Sequence, residues 1–359
     1  MTSTRIQSPE DPALDDLCRR LASLAGDLDR SAAWPAEQLA FCRDYGVLEW
    51  FFPVEVGGQG WSELDLVRGE LRLSAACLTT MFVLTQWAGA CRRILACDND
   101  PLRDRLVPDL LAGRTFATLG ISHLTTSRRH LGKPALAAEE TASGFRLNGL
   151  SPWVTGGRHA QTIVVGAEMA DARRVLLAMP TDLLGVRAGD DAQLVALTSS
   201  HTGPIHCDNV EVPRDALIAG PSEDVMAGAR GSNTGGLQTS TLAVGLATAA
   251  IDYLFAEAEK RDDLLVPAGG LKAELRDVQG DLLALALGEE RCTTQDLRVR
   301  ANSLVLRAAQ AALAAAKGAG YIVGHPAGRW CREALFFLVW SCPQQVMAAN
   351  LCELAGLSE

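Results

Sequence analysis

Trp153 and Thr155 are the residues of this chain whose types and spacing point most directly to chemistry. They lie in residues 144–166, which read as a strand, an Asn-Gly turn at 148–149, a second strand, a Gly-Gly turn at 156–157 and a third, apolar strand. Because strand side chains alternate, the tryptophan and the threonine point the same way. They could offer a flat aromatic face and a hydroxyl to a planar cofactor. The alternative is a solvent-exposed meander whose tryptophan fills space in the core.

The elements that must position this pair can be read from composition and periodicity. The chain has 359 residues, of which 48% are hydrophobic and only 5% aromatic, so Ala, Leu and Val must build most of the core. Alanine and leucine are strong helix formers, which favours a largely helical protein. Helical spacing of apolar residues predicts helices within residues 11–109 and over residues 240–260, 271–291 and 295–317.

Between these helical regions lie short β-branched or alternating runs, separated by Gly, Asn and Asp turns. Such runs predict a small antiparallel β domain. We therefore predict an N-terminal helical domain over residues 1–114, a middle β domain over 115–222 and a C-terminal helical domain over 223–359. The glycine-rich run within residues 223–236 follows no strand of a βαβ unit, so it does not read as a dinucleotide-binding loop.

Charge and cysteine usage exclude several functions. The net charge is −10 and no basic block is present, which argues against nucleic acid as a partner, because binding phosphates requires clustered Lys and Arg. The ten cysteines are scattered, with no Cys-x-x-Cys pair, which predicts reduced thiols in a cytoplasmic protein and no metal site. No apolar run approaches the roughly 18 residues of a membrane span. The first twelve residues lack the apolar centre of a secretion signal.

Short segments spread along the chain resemble those of the acyl-CoA dehydrogenase family, in the family's order. Residues 46–60 are similar to its Pro-Glu-x-x-Gly-Gly-x-Gly connector, and residues 106–113 to its Leu-Pro-x-Leu-Ala-x-Gly turn. Residues 144–160 resemble its Gly-x-x-Leu-Asn-Gly-x-Lys-x-Trp-Ile-Thr segment, with a serine in place of the lysine. Further similar segments lie at 210–213 and 318–333. The resemblance implies a mainly α fold with a central, barrel-like antiparallel β domain and a C-terminal four-helix bundle.

The same resemblance implies an FAD held between the β domain and the C-terminal helices. Trp153 then packs against the isoalloxazine ring, and Thr155 donates or accepts a hydrogen bond near its N5 edge. Ser122 matches a family residue that contacts the pyrimidine ring. Ser127 falls near a family serine that supports the phosphate or thioester end, although the Glu-Pro-Gly-Ala-Gly that precedes that serine in the family is absent here.

Other cofactor contacts implied by the family come from a neighbouring subunit. Arg261 matches an arginine that approaches the FAD pyrophosphate, although a solvated arginine at a helix end is the alternative. Gly318 matches the second glycine of a Gly-Gly-x-Gly-Tyr run, whose first glycine is Lys317 here. The resemblance further implies a homodimer or homotetramer, an acyl-CoA or other acyl thioester as substrate, and an electron-transfer flavoprotein as a possible partner.

The catalytic base of the family is missing from the expected place. Family members remove the α-proton of the thioester with a glutamate in a Tyr-Glu-Gly-Thr turn, and the residue at its position here is Ser341. A neutral serine cannot act as that base without an activating partner. Cys342 is the nearby group able to become anionic, at the start of a predicted helix over 344–354, where a helix N-terminus lowers a thiol pKa. The alternative is a small, half-buried thiol.

Three functions remain open from the sequence. The first is α,β-dehydrogenation of an acyl thioester by a flavoenzyme whose base is replaced or relocated. The second is flavin chemistry that needs no α-proton base, such as monooxygenation, on the same fold. The third is a non-catalytic relative, which the Lys317 substitution and the loss of a family Phe-Gly pair after Arg261 would favour.

Overall fold

The computed structural model describes residues 5–125, 134–228 and 236–357. The first helices pack around one apolar core. Helix α1 follows an Asp11 cap and buries one face through leucines at helical spacing, among them Leu14, Leu17 and Leu21. The N-terminal helices are α1 (Pro12–Ser31), α2 (Ala36–Asp44), α3 (Glu63–Ala76), α4 (Leu78–Ala96) and α5 (Asp100–Leu111).

The middle of the described chain forms an eight-stranded sheet with two very short helices. The strands are β1 (Ala117–Gly120), β2 (Leu136–Glu140), β3 (Gly144–Thr155), β4 (Thr162–Glu168), β5 (Arg174–Pro180), β6 (Val186–Ala188), β7 (Thr202–Pro213) and β8 (Leu217–Ser222). The short helices are α6 (Ser122–Thr125) and α7 (Val225–Gly228). The strand order is β6-β7-β3-β2-β4-β5-β8, with β1 beside β4.

Two details of the predicted β domain are wrong. The sheet is mixed rather than antiparallel, because β1 pairs in parallel with β4 and β2 bridges β4 in parallel. The Asn-Gly pair does not close a hairpin, because β3 runs unbroken from residue 144 to residue 155. Gly149 instead pairs with Cys207 of β7 and has a positive φ of 121°, next to a register shift at which β7 carries the extra residue. A Cβ atom there would lie 2.3 Å from the carbonyl oxygen of Ala135, so only glycine fits.

The C-terminal part is helical, as predicted, with α8 (Gln238–Ala258), α9 (Leu265–Ala286), α10 (Thr294–Gly320), α11 (Pro326–Ala334) and α12 (Gln344–Leu354). A short 3-10 helix, Leu335–Leu338, continues α11. The start of α9 lies before its predicted position because Pro267 fits the first turn of a helix. The mainly α fold with a central sheet is confirmed, and the domain boundaries at 114 and 222 stay predictions.

Candidate functional site

A cavity of about 1070 Å³ lies where the helices meet the sheet, and it is called the central cavity below. Four of the predicted site residues line it: Ser122, Trp153, Thr155 and Ser341. The helices α3, α4 and α8 supply further lining, as does the segment 335–341 after α11. Side chains more than 180 residues apart in the chain therefore meet around one space. Its volume is at the upper end of ligand pockets, about 300–1,000 Å³.

The alternation predicted for β3 is confirmed. Trp153 is 51% exposed and faces the central cavity, and Thr155 lines the same cavity. Val154, between them, is fully buried in the apolar core of the sheet. The tryptophan therefore does not fill the core, and its ring is available to a ligand in the cavity.

Hydroxyl groups hold the Thr155 end of the strand. The Oγ1 atoms of Thr155 and Thr202 lie 2.9 Å apart, and that of Thr202 is also 2.8 Å from the Oγ of Ser200. Thr118 donates to the Thr155 carbonyl oxygen at 2.7 Å. Because a hydroxyl can donate once and accept twice, this chain leaves Thr155 capacity for a further hydrogen bond to a ligand.

The turn that carries Ser341 is held by a buried arginine that the sequence did not single out. Arg298 donates through Nη2 to the carbonyl oxygens of Trp340 at 2.9 Å and Ser341 at 3.2 Å. Burial lowers the pKa of Arg298 to about 10. Ser341 has a positive φ of 44°, so the guanidinium fixes a turn of uncommon geometry beside the cavity.

The predicted low pKa of the Cys342 thiol is not what the structure indicates. Cys342 is half-buried and does not line the central cavity. Burial raises its pKa, and the opposing influence of Arg298 is smaller. A thiol of this kind is protonated at neutral pH, which removes the physical basis for using it as a base.

The remaining predicted residues lie away from the central cavity. Arg261 donates to the Ala315 carbonyl oxygen at 2.7 Å and pairs with Asp263 at 3.2 Å. Gly318 lies near the end of α10, with open space beside it. Ser127 lies outside the described residues.

A buried carboxylate that the sequence reasoning missed lines the cavity. Glu70 on α3 is only 3% exposed, and its Oε1 has no hydrogen-bond partner among the described residues. Burial raises its pKa to about 7, and Arg92 opposes this shift. Glu70 follows Leu66 and Val67 at helical spacing on the apolar face of α3. The sequence feature that could have identified Glu70 is an acidic residue on the apolar face of a helix.

A second buried charge lies on α4. Arg93 is 6% exposed and lines the cavity, where its Nη1 donates to the Gly89 carbonyl oxygen at 3.0 Å. Its Nε has no partner among the described residues. Burial, and then the neighbouring charge of Arg92, lowers its pKa to about 10. One part of the cavity is therefore polar and charged.

Another part of the lining is aromatic. The rings of Phe336 and Trp340 are stacked with centroids 4.8 Å apart, and Phe82 meets both edge-on. All three line the central cavity. Such a surface suits the apolar portion of a ligand. The combination of Trp153, the Thr155 hydroxyl and this volume fits an isoalloxazine ring with space beside it for a substrate.

His123, in α6, is half-buried, and its Nε2 lies 2.7 Å from the Gly166 carbonyl oxygen. Burial lowers its pKa.

Within the described ranges no group of His, Cys, Asp and Glu has the arrangement of a metal site. In the same ranges one helix, α8, is long and apolar enough to cross a membrane, and 67% of that stretch is buried inside the protein.

Comparison with known proteins finds acyl-CoA dehydrogenases among the relatives of this chain. The chain is 22% identical over 338 residues to the probable acyl-CoA dehydrogenase YngJ of Bacillus subtilis, covering 88% of both proteins. It is 23% identical over 345 residues to the mitochondrial short-chain specific acyl-CoA dehydrogenase of Mus musculus, covering 88% of this chain and 81% of the mouse protein. No family model matches the chain.

Solved structures share the fold over nearly the whole chain. Butyryl-CoA dehydrogenase from Megasphaera elsdenii superposes with a TM-score of 0.81 at 15% identity, covering 96% of this chain and 97% of that one. The dibenzothiophene monooxygenase TdsC from Paenibacillus sp. A11-2 gives 0.80 at 17% identity, covering 96% of each chain. The same architecture is therefore found in a dehydrogenase and in a monooxygenase.

Proposed function

The chain belongs to the acyl-CoA dehydrogenase family, and we propose that it is an FAD-dependent oxidoreductase that dehydrogenates an acyl thioester between its α and β carbons. The observation that carries this proposal is the meeting of Trp153, Thr155, Ser122 and Ser341 around one cavity. The family resemblance implies each of these four residues independently of the geometry. Their convergence is what a shared cofactor and substrate site requires.

Each residue has a proposed role in this site. Trp153 packs against the isoalloxazine, Thr155 hydrogen-bonds near its N5 edge, and Ser122 contacts its pyrimidine ring. The bound FAD supplies the acceptor for the hydride that leaves the β carbon. Ser341 lies at the position of the family base and contributes a hydrogen-bonding hydroxyl beside the thioester.

We propose that a second copy of the chain helps to bind the remaining part of FAD, its pyrophosphate. Arg261 and Gly318 would serve the FAD pyrophosphate of a neighbouring subunit in a homodimer or homotetramer, and Ser127 would support a phosphate or the thioester end. A charge-assisted bond between a guanidinium and a phosphate suits this role. We further propose a cytoplasmic location, in keeping with ten free cysteine thiols, and an electron-transfer flavoprotein as electron acceptor.

A second candidate is monooxygenation by a reduced flavin on the same site. The observation that favours it is Ser341 in place of a glutamate, next to a Cys342 thiol whose pKa is raised. Chemistry that needs no α-proton base would tolerate both. A non-catalytic relative without flavin is the third reading.

The visible spectrum of the purified protein separates these candidates. The protein is incubated with FAD, desalted, made anaerobic and mixed with butyryl-CoA, and dithionite is added last. Bleaching by butyryl-CoA supports the dehydrogenase. A yellow protein that only dithionite bleaches favours the monooxygenase. A protein that remains colourless after FAD incubation contradicts both flavin functions.

A further inference from the structure

We propose that Glu70 is the catalytic base of this site and accepts the α-proton of the acyl thioester in place of Ser341; this inference rests on the proposed function. Positioned general bases contribute about 10²–10⁴ in rate, so a dehydrogenase of this kind needs one. The family position holds a neutral serine, and the neighbouring thiol is protonated. A carboxylate from another element must supply the function.

The position of Glu70 is set by one face of α3. Leu66 and Val67 lie three and four residues from both Glu63 and Glu70, and all four residues line the central cavity. Among the described lining residues the two glutamates are the only carboxylates. Glu63 lies exposed in the first turn of the helix. Glu70 lies about two turns further in and is buried, so it is the carboxylate that a substrate inside the cavity can meet without intervening water.

The surroundings of Glu70 suit a proton acceptor. The charged and polar groups that face it are Arg92 of α4, Glu63 of its own helix and Gln238 at the start of α8. No ion pair engages its carboxylate among the described residues, and Oε1 lacks any hydrogen-bond partner there. A structural buried glutamate is expected to be paired or fully hydrogen-bonded. A buried oxygen without a partner, on a residue that lines the cavity, is instead suited to receive a proton.

The proton and electron movements balance with this assignment. The Glu70 carboxylate takes the α-proton and becomes a carboxylic acid as the Cα–H bond breaks. The electron pair of that bond forms the second bond between Cα and Cβ. The hydride that leaves Cβ would be accepted by the FAD of the proposed function, which would supply the two-electron oxidant. Arg92, which favours the charged form of Glu70, keeps part of the carboxylate ionised at neutral pH.

Exchange of the α-hydrogen tests proton abstraction apart from hydride transfer. Butyryl-CoA is incubated in D₂O with the FAD-loaded protein, and deuterium uptake at the α carbon is followed by mass spectrometry. Glu70→Gln should slow exchange by about 10²–10⁴-fold. Glu70→Asp, which keeps a carboxylate, should slow it less. Ser341→Ala, which removes a hydrogen-bonding hydroxyl but no base, should slow exchange far less than Glu70→Gln. Unchanged exchange in Glu70→Gln, or abolished exchange in Ser341→Ala, overturns the assignment.

Glu333 provides a matched control. It is equally buried at 4% exposure, and burial also raises its pKa to about 7, but it does not line the cavity. Glu333→Gln should therefore keep the wild-type exchange rate. Infrared titration of the flavin-free protein gives a readout independent of activity. Two carboxyl groups should titrate near neutral pH, one absent from each variant, and loss of neither band in Glu70→Gln contradicts the proposal.

The outcomes separate this inference from the function on which it rests. Exchange that depends on Glu70 without bleaching of the flavin by butyryl-CoA would support the base and overturn the dehydrogenation. Bleaching that is as fast in Glu70→Gln as in the wild type would support the dehydrogenation and overturn the base. Absence of both reactions in the wild-type protein contradicts both.

Discussion

The Nε2 of His159 lies 2.8 Å from the Nδ1 of His201, in a hydrogen bond between two imidazoles. Trp34 stacks on His159 with ring centroids 4.2 Å apart, and the Nε2 of His201 lies 3.0 Å from the Ala32 carbonyl oxygen. The pair therefore joins the segment between α1 and α2 to the sheet. Asp191 faces the pair, with 3.5 Å between its Oδ2 and the Nδ1 of His201.

Protonation should weaken this junction. Burial, followed by the nearby His201, lowers the pKa of His159, while Asp191 raises it and Arg158 lowers it. A histidine with a lowered folded pKa contributes stability above its unfolded pKa of about 6.5, and that contribution is lost as the pH falls below this value. The melting temperature should fall between about pH 7 and pH 5. The melting temperature of His159→Gln should fall less with decreasing pH than that of the wild type. The control variant His206→Gln should show the same fall as the wild type. An equal fall in melting temperature in all three proteins would contradict this role of His159.

Glu70 should reduce stability at high pH. Its folded pKa of about 7 exceeds the value of 4.5 expected without burial, so the ionised form is disfavoured in the folded protein. Such a group does not lower the free energy of unfolding well below pH 4.5, and it lowers that free energy most above pH 7. Glu70→Gln should therefore raise the free energy of unfolding by under 1 kcal/mol at about pH 5 and by about 3 kcal/mol at about pH 8.

Chemical denaturation at both pH values measures this difference. Glu63→Gln, on the same face of α3 but exposed, is the control and should change stability little at either pH. A Glu70→Gln effect that is independent of pH would show that Glu70 is not held in a desolvated state.

Lys317 stores backbone strain near the end of α10. Its φ of 53° and ψ of −146° fall in a region that favours glycine, and the family motif has a glycine there. Strain of this kind costs about 1–3 kcal/mol of stability, which a glycine would relieve. Glycine is more flexible in the unfolded chain, which reduces this gain by up to about 1 kcal/mol. Lys317→Gly should thus raise the unfolding free energy by about 1 kcal/mol in urea denaturation. The same substitution at Lys272, inside α9, should lower it by a similar amount.

Trp153 should matter to flavin binding far more than to folding. Half of its surface is exposed, so truncation removes little packing. Stacking of a planar base on an aromatic ring is worth about 1–3 kcal/mol, so Trp153→Ala should weaken FAD affinity by about 5- to 150-fold. Fluorescence titration of the flavin-free protein measures this. Leu184→Ala, at an apolar residue that is 95% exposed and outside the cavity, is the control; equal FAD affinities in the two variants would be evidence against a flavin face at Trp153.

Local periodicity carried much of the fold prediction. Apolar spacing in α1 and in the C-terminal helices follows directly from burial of one face, and α12 was predicted with its observed limits. The relation between Trp153, Val154 and Thr155 follows from strand alternation alone. These features depend on residues close together in the chain, which is why the sequence was sufficient.

Features set by distant partners escaped the prediction. An Asn-Gly pair suits a turn or a continuous strand with a positive-φ glycine, and the pairing of Gly149 with β7, more than fifty residues later, decides for the strand. The parallel pairing of β1 with β4 likewise depends on a remote strand. Glu70 was missed because its burial depends on α4 and α8 rather than on α3 itself. The sequence thus predicted Trp153 and Thr155, which are proposed to contact the flavin, and missed the buried acid Glu70.

Anaerobic stopped-flow reduction of the flavin by butyryl-CoA, in the wild type, Glu70→Gln and Ser341→Ala, tests whether one cavity joins a flavin face at Trp153 to a base at Glu70. If it does, butyryl-CoA should bleach the flavin in the wild type and in Ser341→Ala, and at a rate about 10²–10⁴-fold lower in Glu70→Gln. A wild-type protein that binds FAD but is never reduced by butyryl-CoA, or a Glu70→Gln variant reduced at the wild-type rate, would contradict it.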